Sequence, residues 1–578
     1  MTNLDAAVRD TLARLDEQEF SRRLWERDPT LWKSDPAHQR IIKNALGWLT
    51  VPESMRAQVS EVLSFVEEVK HAGFKYAVVL GMGGSSLCPD VCRATFGTTP
   101  GFLELHVLDS TVPASVARVE KSIDVTKTLF LVSSKSGGTA ETMSFYKYFY
   151  GRVGSLKGTR SGENFAAITD PGTSLEKLAW QQNFRKVFHG QPDIGGRYSA
   201  LSNFGMVPAA LAGTDVQTLL AKAEEMAQAC GATVPARDNP GVWLGVTMAE
   251  AARLGRDKVT FVISPGIATF ADWAEQLIAE STGKEGQGLV PVAGEPLGQP
   301  DVYGNDRLFI RMRLASQPDQ RTEDKLQALE TVGHPVIRLE LQNELDLGRE
   351  FFRWEVATAT AGALLGINPF DQPNVQESKD NTNRLLAEFR TQGKLPEGVA
   401  VAQSERLAFY CDGPTRSALE GKMKLGGPPA VTDYLAAFLA QAGPGDYLAL
   451  LAFLEPTSEL RARLELLRVR LRDALRLATT VGFGPRYLHS TGQLHKGGAA
   501  NGLFVHITAD DAEDLPVPGE AYSFAVLKQA QALGDLHSLR SKNRRVARFH
   551  LKKSVTAGMA EMSGLVEAAI KQTQDVER

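Results

Sequence analysis

The sequence predicts an α/β fold of two units, each a parallel sheet covered by helices on both faces. Two observations predict it. Short apolar runs of strand length recur along the chain, each opening into a small-residue turn and then a helical stretch. Strands that alternate with helices in this way pair in parallel, because the crossover helix brings the chain back to the same edge. The rhythm also pauses near 213–240 and restarts, which separates a first unit from a second.

Taken in order, residues 1–25 are dense in Arg, Asp and Glu and read as an amphipathic surface helix, not a signal peptide. Runs at 76–80, 103–108, 128–132, 165–168 and 186–188 read as strands of the first unit. Runs at 259–263, 290–292, 308–313 and 336–341 read as strands of the second, with helices over 268–280 and 345–365. The latter stops before Asn368-Pro369 because proline disfavours helix at the residue before it. Residues 371–445 are rich in turn formers and are expected to pack around the sheets. Then follow a strand at 447–454, an Arg-rich helix at 458–477, strands at 486–489 and 503–507, and helix from 519 onward with a solvated basic face. The expected division is an N-terminal helical segment 1–45, a first domain 46–230, a second domain 231–515 with a helical insertion, and a C-terminal helical extension 516–578.

Composition excludes several classes. At roughly 100–200 residues per unit, a 578-residue chain implies about three to five units and a core that needs no staple. With 64 Lys+Arg against 68 Asp+Glu the net charge is -4, so the chain is no nucleic-acid polycation and has no draw to an anionic membrane. No apolar run approaches the roughly 18 residues of a membrane span. Four cysteines (Cys88, Cys92, Cys230, Cys411) cannot staple a chain this long and complete no zinc site. These features place the chain in a reducing cytoplasm.

Two strand-end loops are suited to a phosphate. The first is Gly81-Met82-Gly83-Gly84-Ser85-Ser86, where glycines let backbone N–H groups approach an anion at a helix N-terminus. It half-matches a dinucleotide fingerprint, with Asp109 closing the next strand. A nicotinamide-dependent dehydrogenase is therefore one reading of it, and a tight turn without ligand is another. The second loop runs from Ser133 to Thr142 and packs hydroxyls around Lys135, without the Gly-Lys-Ser/Thr of a Walker loop. A Ser-rich helix cap is its bland reading. Both loops belong to one sheet and converge at its carboxyl edge, where ligands of α/β sheets bind.

The sequence resembles the phosphoglucose isomerase family, built from two sugar-isomerase (SIS) domains. The resemblance rests on GMGGSSL at 81–87, SKSGGTAET at 134–142, DIGGRYSA at 193–200 and QLIAESTGK at 276–284, in family order. It spans roughly 40–545, and the 486–498 stretch is similar to isomerase modules fused to transaldolase, though no second catalytic module is evident. The resemblance implies interconversion of glucose 6-phosphate and fructose 6-phosphate with no cofactor and no metal. It implies that Ser134, Lys135, Ser136 and Thr139 bind phosphate and that Gly84 and Ser85 line the sugar. Arg197 should stand beside the reacting carbons, and Glu280 should be the base with Gln276 close by. The last two are spaced i, i+4 and share a helix face. A carboxylate that moves a proton and a guanidinium that offsets oxygen charge suit an enediol(ate) path. They argue against a third reading, a phosphosugar-binding regulator without turnover. Acceptance of mannose 6-phosphate stays open, because one enediol serves both epimers.

The sequence departs from the family in two places. The family's ring-opening histidine, which comes from the partner subunit, is missing from 298–309. The family's Gln-Trp-Gly-Val-Glu-Leu-Gly-Lys element is set against 521–528, where Lys528 survives and the glutamine does not. His489 and His495 lie in the Gly-rich 486–498 segment. His495 with Lys528 is the expected replacement, which makes a complete site within one chain, with oligomeric state open.

Overall fold

In the computed structural model, residues 3–396, 398–423 and 427–576 are described. The first helix, α1 (Asn3–Glu17), buries Leu4, Val8, Leu12 and Leu15, one stripe of its surface. Thr11 on that stripe donates to Glu250 at 2.9 Å, so the amphipathic N-terminal helix docks on the second unit.

The first sheet collects β1 (Tyr76–Gly81), β2 (Glu104–Leu108), β3 (Thr128–Ser133), β4 (Phe165–Thr169) and β5 (Lys186–His189). Its order is β2-β1-β3-β4-β5, all parallel. Every residue of β3 is buried, as a strand covered on both faces requires. Two helices of this unit reach the site, α2 (Leu87–Phe96) after β1 and α3 (Ala140–Lys157) after β3.

The second sheet has β6 (Lys258–Ile263), β7 (Val290–Val292), β8 (Arg307–Leu314) and β9 (Val336–Leu341) in the order β7-β6-β8-β9, again parallel. Its helices include α4 (Phe270–Thr282) and α5 (Leu347–Leu364). One continuous apolar core joins the two sheets, from Val79 and Leu105 to Val259 and Ile310.

A third sheet was not separated in the sequence. The turn-rich 371–445 stretch opens with a 20-residue helix, α6 (Pro373–Gln392), and then gives β10 (Ala402–Gln403) and β11 (Leu407–Tyr410). Next come β12 (Tyr447–Phe453), the Arg-rich α7 (Ser458–Leu475), β13 (Ala478–Phe483) and β14 (Gly502–Ala509). The chain ends with α8 (Phe524–Ser541), β15 (Arg545–Leu551) and α9 (Val555–Val576). The six strands run β10-β11-β15-β14-β12-β13, with β12 to β15 parallel and β10 and β11 antiparallel. The strand expected at 486–489 is a 3-10 turn, and the true strand is β13 just before it. β13 was missed because Thr479, Thr480 and Gly482 interrupt its apolar run.

The third sheet is firmly docked. Its one face packs Tyr447, Leu451 and Phe453 against Val290, Val292 and Ala279 of the second unit. Arginines of α7 explain that helix's composition: Arg468 donates to the Ala293 carbonyl at 3.0 Å, and Arg472 to that of Pro296. Arg307 and Glu295, both without exposed side-chain surface, pair at 3.0 Å, and Thr479 of β13 donates to Glu295 at 2.9 Å. No helix among the described residues is long and apolar enough to cross a membrane.

Candidate active site

The three sheets direct loops toward one place. After β1, the turn from Gly81 to Ser86 lies flat on its neighbours. A Cβ on Gly84 would stand 2.0 Å from the Gly196 carbonyl oxygen, so only glycine permits that approach. Gly83, at φ +54°, likewise abuts the Gln276 side chain and the His489 backbone. The first loop therefore touches elements of all three units.

Glu280 and Gln276 stand one turn apart on α4, and both are buried. Gln276 donates through Nε2 to Glu280 at 3.0 Å and to the His489 carbonyl at 2.8 Å. Its Oε1 is buried and has no hydrogen-bond partner among the described residues. Arg197 lies in the 3-10 turn Gly196–Tyr198, 2% exposed, with Nη1 3.3 Å from Glu280 Oε1. Its other contacts hold it still. Nε donates to Ser281 at 2.8 Å, Nη1 to Gln372 at 2.6 Å, and Nη2 to the carbonyls of Pro369 and Asp371. Lys284 grips the same 368–371 loop through Asp371 and the Asn368 carbonyl, and burial together with Arg197 pushes its ammonium down to about 7.

The hydroxyl loop follows β3. Ser134 is buried and its hydroxyl meets that of Thr139 at 3.0 Å; Ser136 is exposed. Lys135 turns away to Asp170 and to the carbonyls of Gln191 and Pro192, both at 3.2 Å. These partners tie the loop to the strand-end carbonyls next to it, while its hydroxyls and backbone N–H groups are donors suited to an anion.

The third unit contributes the 3-10 turn Arg486–His489 after β13. Arg486 bonds Asp109 and, at 2.6 Å, Asp90 of the first unit. Asp109 is thus taken by an arginine, which removes the ribose-binding carboxylate that a dinucleotide site requires. Tyr487 donates to Asp535 of α8 at 2.7 Å. His489 sets Nε2 2.8 Å from Glu141 Oε1 in the first turn of α3. Burial raises the Glu141 carboxyl, but the charge and hydrogen bond of His489, helped by Lys379, hold it below the usual range.

The structure corrects the expected pairing of His495 with Lys528. His495 is 2% exposed and nests among Tyr447, Tyr487 and Phe504, and burial pushes its imidazole down to about 3. Lys528 pairs with Asp511 at 2.6 Å and donates to the Ala509 carbonyl. His495 is thus sealed among aromatics and Lys528 of α8 is salt-bridged, each with partners other than Glu280 and Arg197. His489, six residues earlier, is tied to Glu280 through Gln276, whose amide donates to both the His489 carbonyl and Glu280. The family's glutamine-to-lysine element also finds a better place. Gln372 and Lys379 keep its seven-residue spacing, with Val375 at the valine position. Gln372 accepts from Arg197, and Lys379 acts on Glu141. That spacing was visible in the sequence.

A site of this kind can pass one proton between neighbouring carbons of a bound sugar phosphate, the task of an α/β aldose–ketose isomerase. Comparison with known proteins agrees. Residues 50–289 match the phosphoglucose isomerase family profile. A glucose-6-phosphate isomerase of Carboxydothermus hydrogenoformans is 30% identical over 426 residues, covering 63% of this chain and 90% of the relative. One from Thermosynechococcus vestitus is 32% identical, covering 67% and 78%. A solved hypothetical protein of Thermus thermophilus superposes with a TM-score of 0.56 at 26% identity, over 67% of this chain and 99% of its own. The glucose-6-phosphate isomerase of Chlamydia trachomatis shares the fold at a TM-score of 0.50 and 22% identity, covering 66% and 79%. The chain belongs to the phosphoglucose isomerase family.

Proposed function

We propose that this chain interconverts glucose 6-phosphate and fructose 6-phosphate through a cis-enediol(ate), in glycolysis and gluconeogenesis. The observation that carries the reading is the buried pair of Glu280 and Arg197, 3.3 Å apart. Glu280 takes the proton from C2 of the open aldose and returns it to C1. Arg197, fixed by its protein acceptors, supplies positive charge next to the base as negative charge develops on the sugar oxygens. Gln276 orients Glu280, and its unpartnered Oε1 accepts a sugar hydroxyl. Ser134, Ser136 and Thr139 hold the phosphate with nearby backbone N–H groups, on a loop fixed by Lys135, and Gly84 and Ser85 line the sugar.

Ring opening precedes that transfer. The ring oxygen must gain a proton and the anomeric hydroxyl must lose one. His489, backed by Glu141, carries both, because imidazole exchanges protons near neutral pH. All these groups come from one chain, so no partner subunit has to complete the site. The substrate is a free sugar phosphate in the cytoplasm, a reading supported by the net charge of -4 and four free cysteines.

The deciding experiment couples fructose 6-phosphate formation to a colour readout, with C2-deuterated glucose 6-phosphate as substrate. Formation of product with partial transfer of deuterium to C1 supports the reading. Tight binding of sugar phosphate without turnover would turn it into the regulator reading.

A further inference from the structure

Helix α8 does reach the site, though not through Lys528. Gln531, one turn further on, donates its amide to Glu141 Oε1 at 2.7 Å. Its own Oε1 accepts from the Thr111 hydroxyl at 2.7 Å. Thr111, Gln531 and Glu141 are 0%, 3% and 5% exposed, so this chain is sealed from water. Glu141 Oε1 also faces His489 Nε2 at 2.8 Å. A single carboxylate oxygen thus receives an amide from one side and an imidazole from the other.

We infer that Gln531 is a positioning residue for ring opening, holding Glu141 as a carboxylate and so fixing which nitrogen of His489 exchanges protons with the sugar. This rests on the role given to His489 above. The physical case has three steps. A hydrogen bond donated to the charged form of a buried carboxyl favours that form, where burial alone would favour the neutral acid. An amide cannot give up its proton, so Gln531 stays a donor at every pH, which a histidine or carboxylic acid would not. The Thr111 hydroxyl satisfies Gln531 Oε1, so the amide NH2 is left to donate to Glu141. With Glu141 ionised, His489 keeps its proton on Nε2, and Nδ1 is left to trade protons with the substrate. The charged groups facing Glu141 are His489, from the 3-10 turn, and Lys379, from α6; Gln531 and Thr111 are uncharged.

The test is the pH dependence of kcat/KM on glucose 6-phosphate in Gln531→Met, Gln531→Glu and Thr111→Val. Removing one hydrogen bond to a buried charge is expected to move the acid limb up by about one pH unit in Gln531→Met. Gln531→Glu should move it further, because two adjacent carboxyls compete for one proton. Thr111→Val, a mild change that preserves volume, should move it in the same direction by less and covers the case where a Gln531 variant fails to fold. Solvent-deuterium exchange at C2 of erythrose 4-phosphate, which cannot cyclise because its O4 is esterified, should stay within about twofold of the parent, since it needs no ring opening by His489 and Glu141. An unmoved acid limb, or equal losses on both substrates, overturns the inference. His489→Ala is measured in parallel. If it loses both substrates equally, the role of His489 falls and this inference with it. If it loses only the cyclic substrate while the Gln531 acid limb stays put, only the inference about Gln531 falls.

Discussion

His489 and Glu141, 348 residues apart in sequence, meet at 2.8 Å. The contact joins the third sheet's edge to the first helix turn after β3. The turn that carries His489 is held at each step: Arg486 by Asp90 and Asp109, Tyr487 by Asp535, and the His489 carbonyl by Gln276. A catalytic imidazole needs such support, because small misplacements of reacting groups are costly.

His489→Ala should therefore cut turnover of cyclic glucose 6-phosphate by about 10²-fold or more, the range of general acid–base catalysis. Deuterium exchange into the acyclic erythrose 4-phosphate should change little. Equal loss on the two substrates removes His489 from ring opening.

Glu280→Gln keeps the shape and the bond to Gln276 but removes basicity. Turnover should fall by at least about 10²-fold on both substrates while sugar phosphate still binds. Stopped-flow binding beside steady-state rates separates the two effects, and near-parent turnover excludes Glu280 as the base.

Most of this was legible in the sequence, and the part that was not has a physical cause. The strands that open into the site loops, β1 (Tyr76–Gly81) and β3 (Thr128–Ser133), are nearly unbroken apolar runs, so their positions, and with them Gly84 and the 134–139 loop, could be read directly. β13 and β15 carry polar and charged residues inside the run, as in Arg545, Arg548 and His550 of β15. Period alone does not mark them, so β15 falls inside the expected terminal helix and only 447–454 and 503–507 of the third sheet read as strands. His495 and His489 cannot be told apart by pattern at all. Both lie in one Gly-rich segment, and only tertiary packing decides which ring is sealed among aromatics and which meets a carboxylate. The misplacement of the lysine element was avoidable, since Gln372 and Lys379 keep the family spacing.

His495 should appear in stability instead of rate. Its imidazole is pushed from 6.5 to about 3 by burial first and Lys496 second. Above pH 6.5 the ring is neutral in both folded and unfolded chains. As pH falls from there toward 3, the unfolded chain takes up a proton that the folded chain refuses, so stability declines. The slope is about 1.4 kcal/mol per pH unit for one proton. Urea unfolding at pH 7 and pH 5 should show a smaller loss in His495→Phe than in the parent. Equal losses would mean that this ring does not resist protonation.

Lys135 tests how the phosphate loop is held. If its ammonium anchors the loop to Asp170, Lys135→Ala and Asp170→Ala should both raise KM for sugar phosphate, by several-fold, with kcat nearly kept. A rise confined to Lys135→Ala would show direct charge contact with the phosphate instead, as an ion pair to phosphate is strong and local.

The last prediction concerns the number of chains a site needs. Glu280, Arg197, the 134–139 loop and His489 all belong to one chain, and the unit that brings His489 is docked on the second by buried contacts such as Thr479 to Glu295 and Arg468 to the Ala293 carbonyl. Separating the two units would leave such buried polar groups unpaired, at about 1–3 kcal/mol each, so the third sheet does not lift away in ordinary motion. Activity per chain should then stay constant on dilution, whatever assembly forms at high concentration. Mixing gives a sharper test. Glu280→Gln and His489→Ala are each expected to be nearly inactive on cyclic substrate. When the two variants are unfolded together and refolded as a mixture, a site built from two chains would regain a parent-like set of residues in mixed oligomers. A site built from one chain gains nothing, because each chain lacks one group of its own. Recovery of activity in the mixture would show that His489 acts on a neighbouring chain and would overturn the one-chain site.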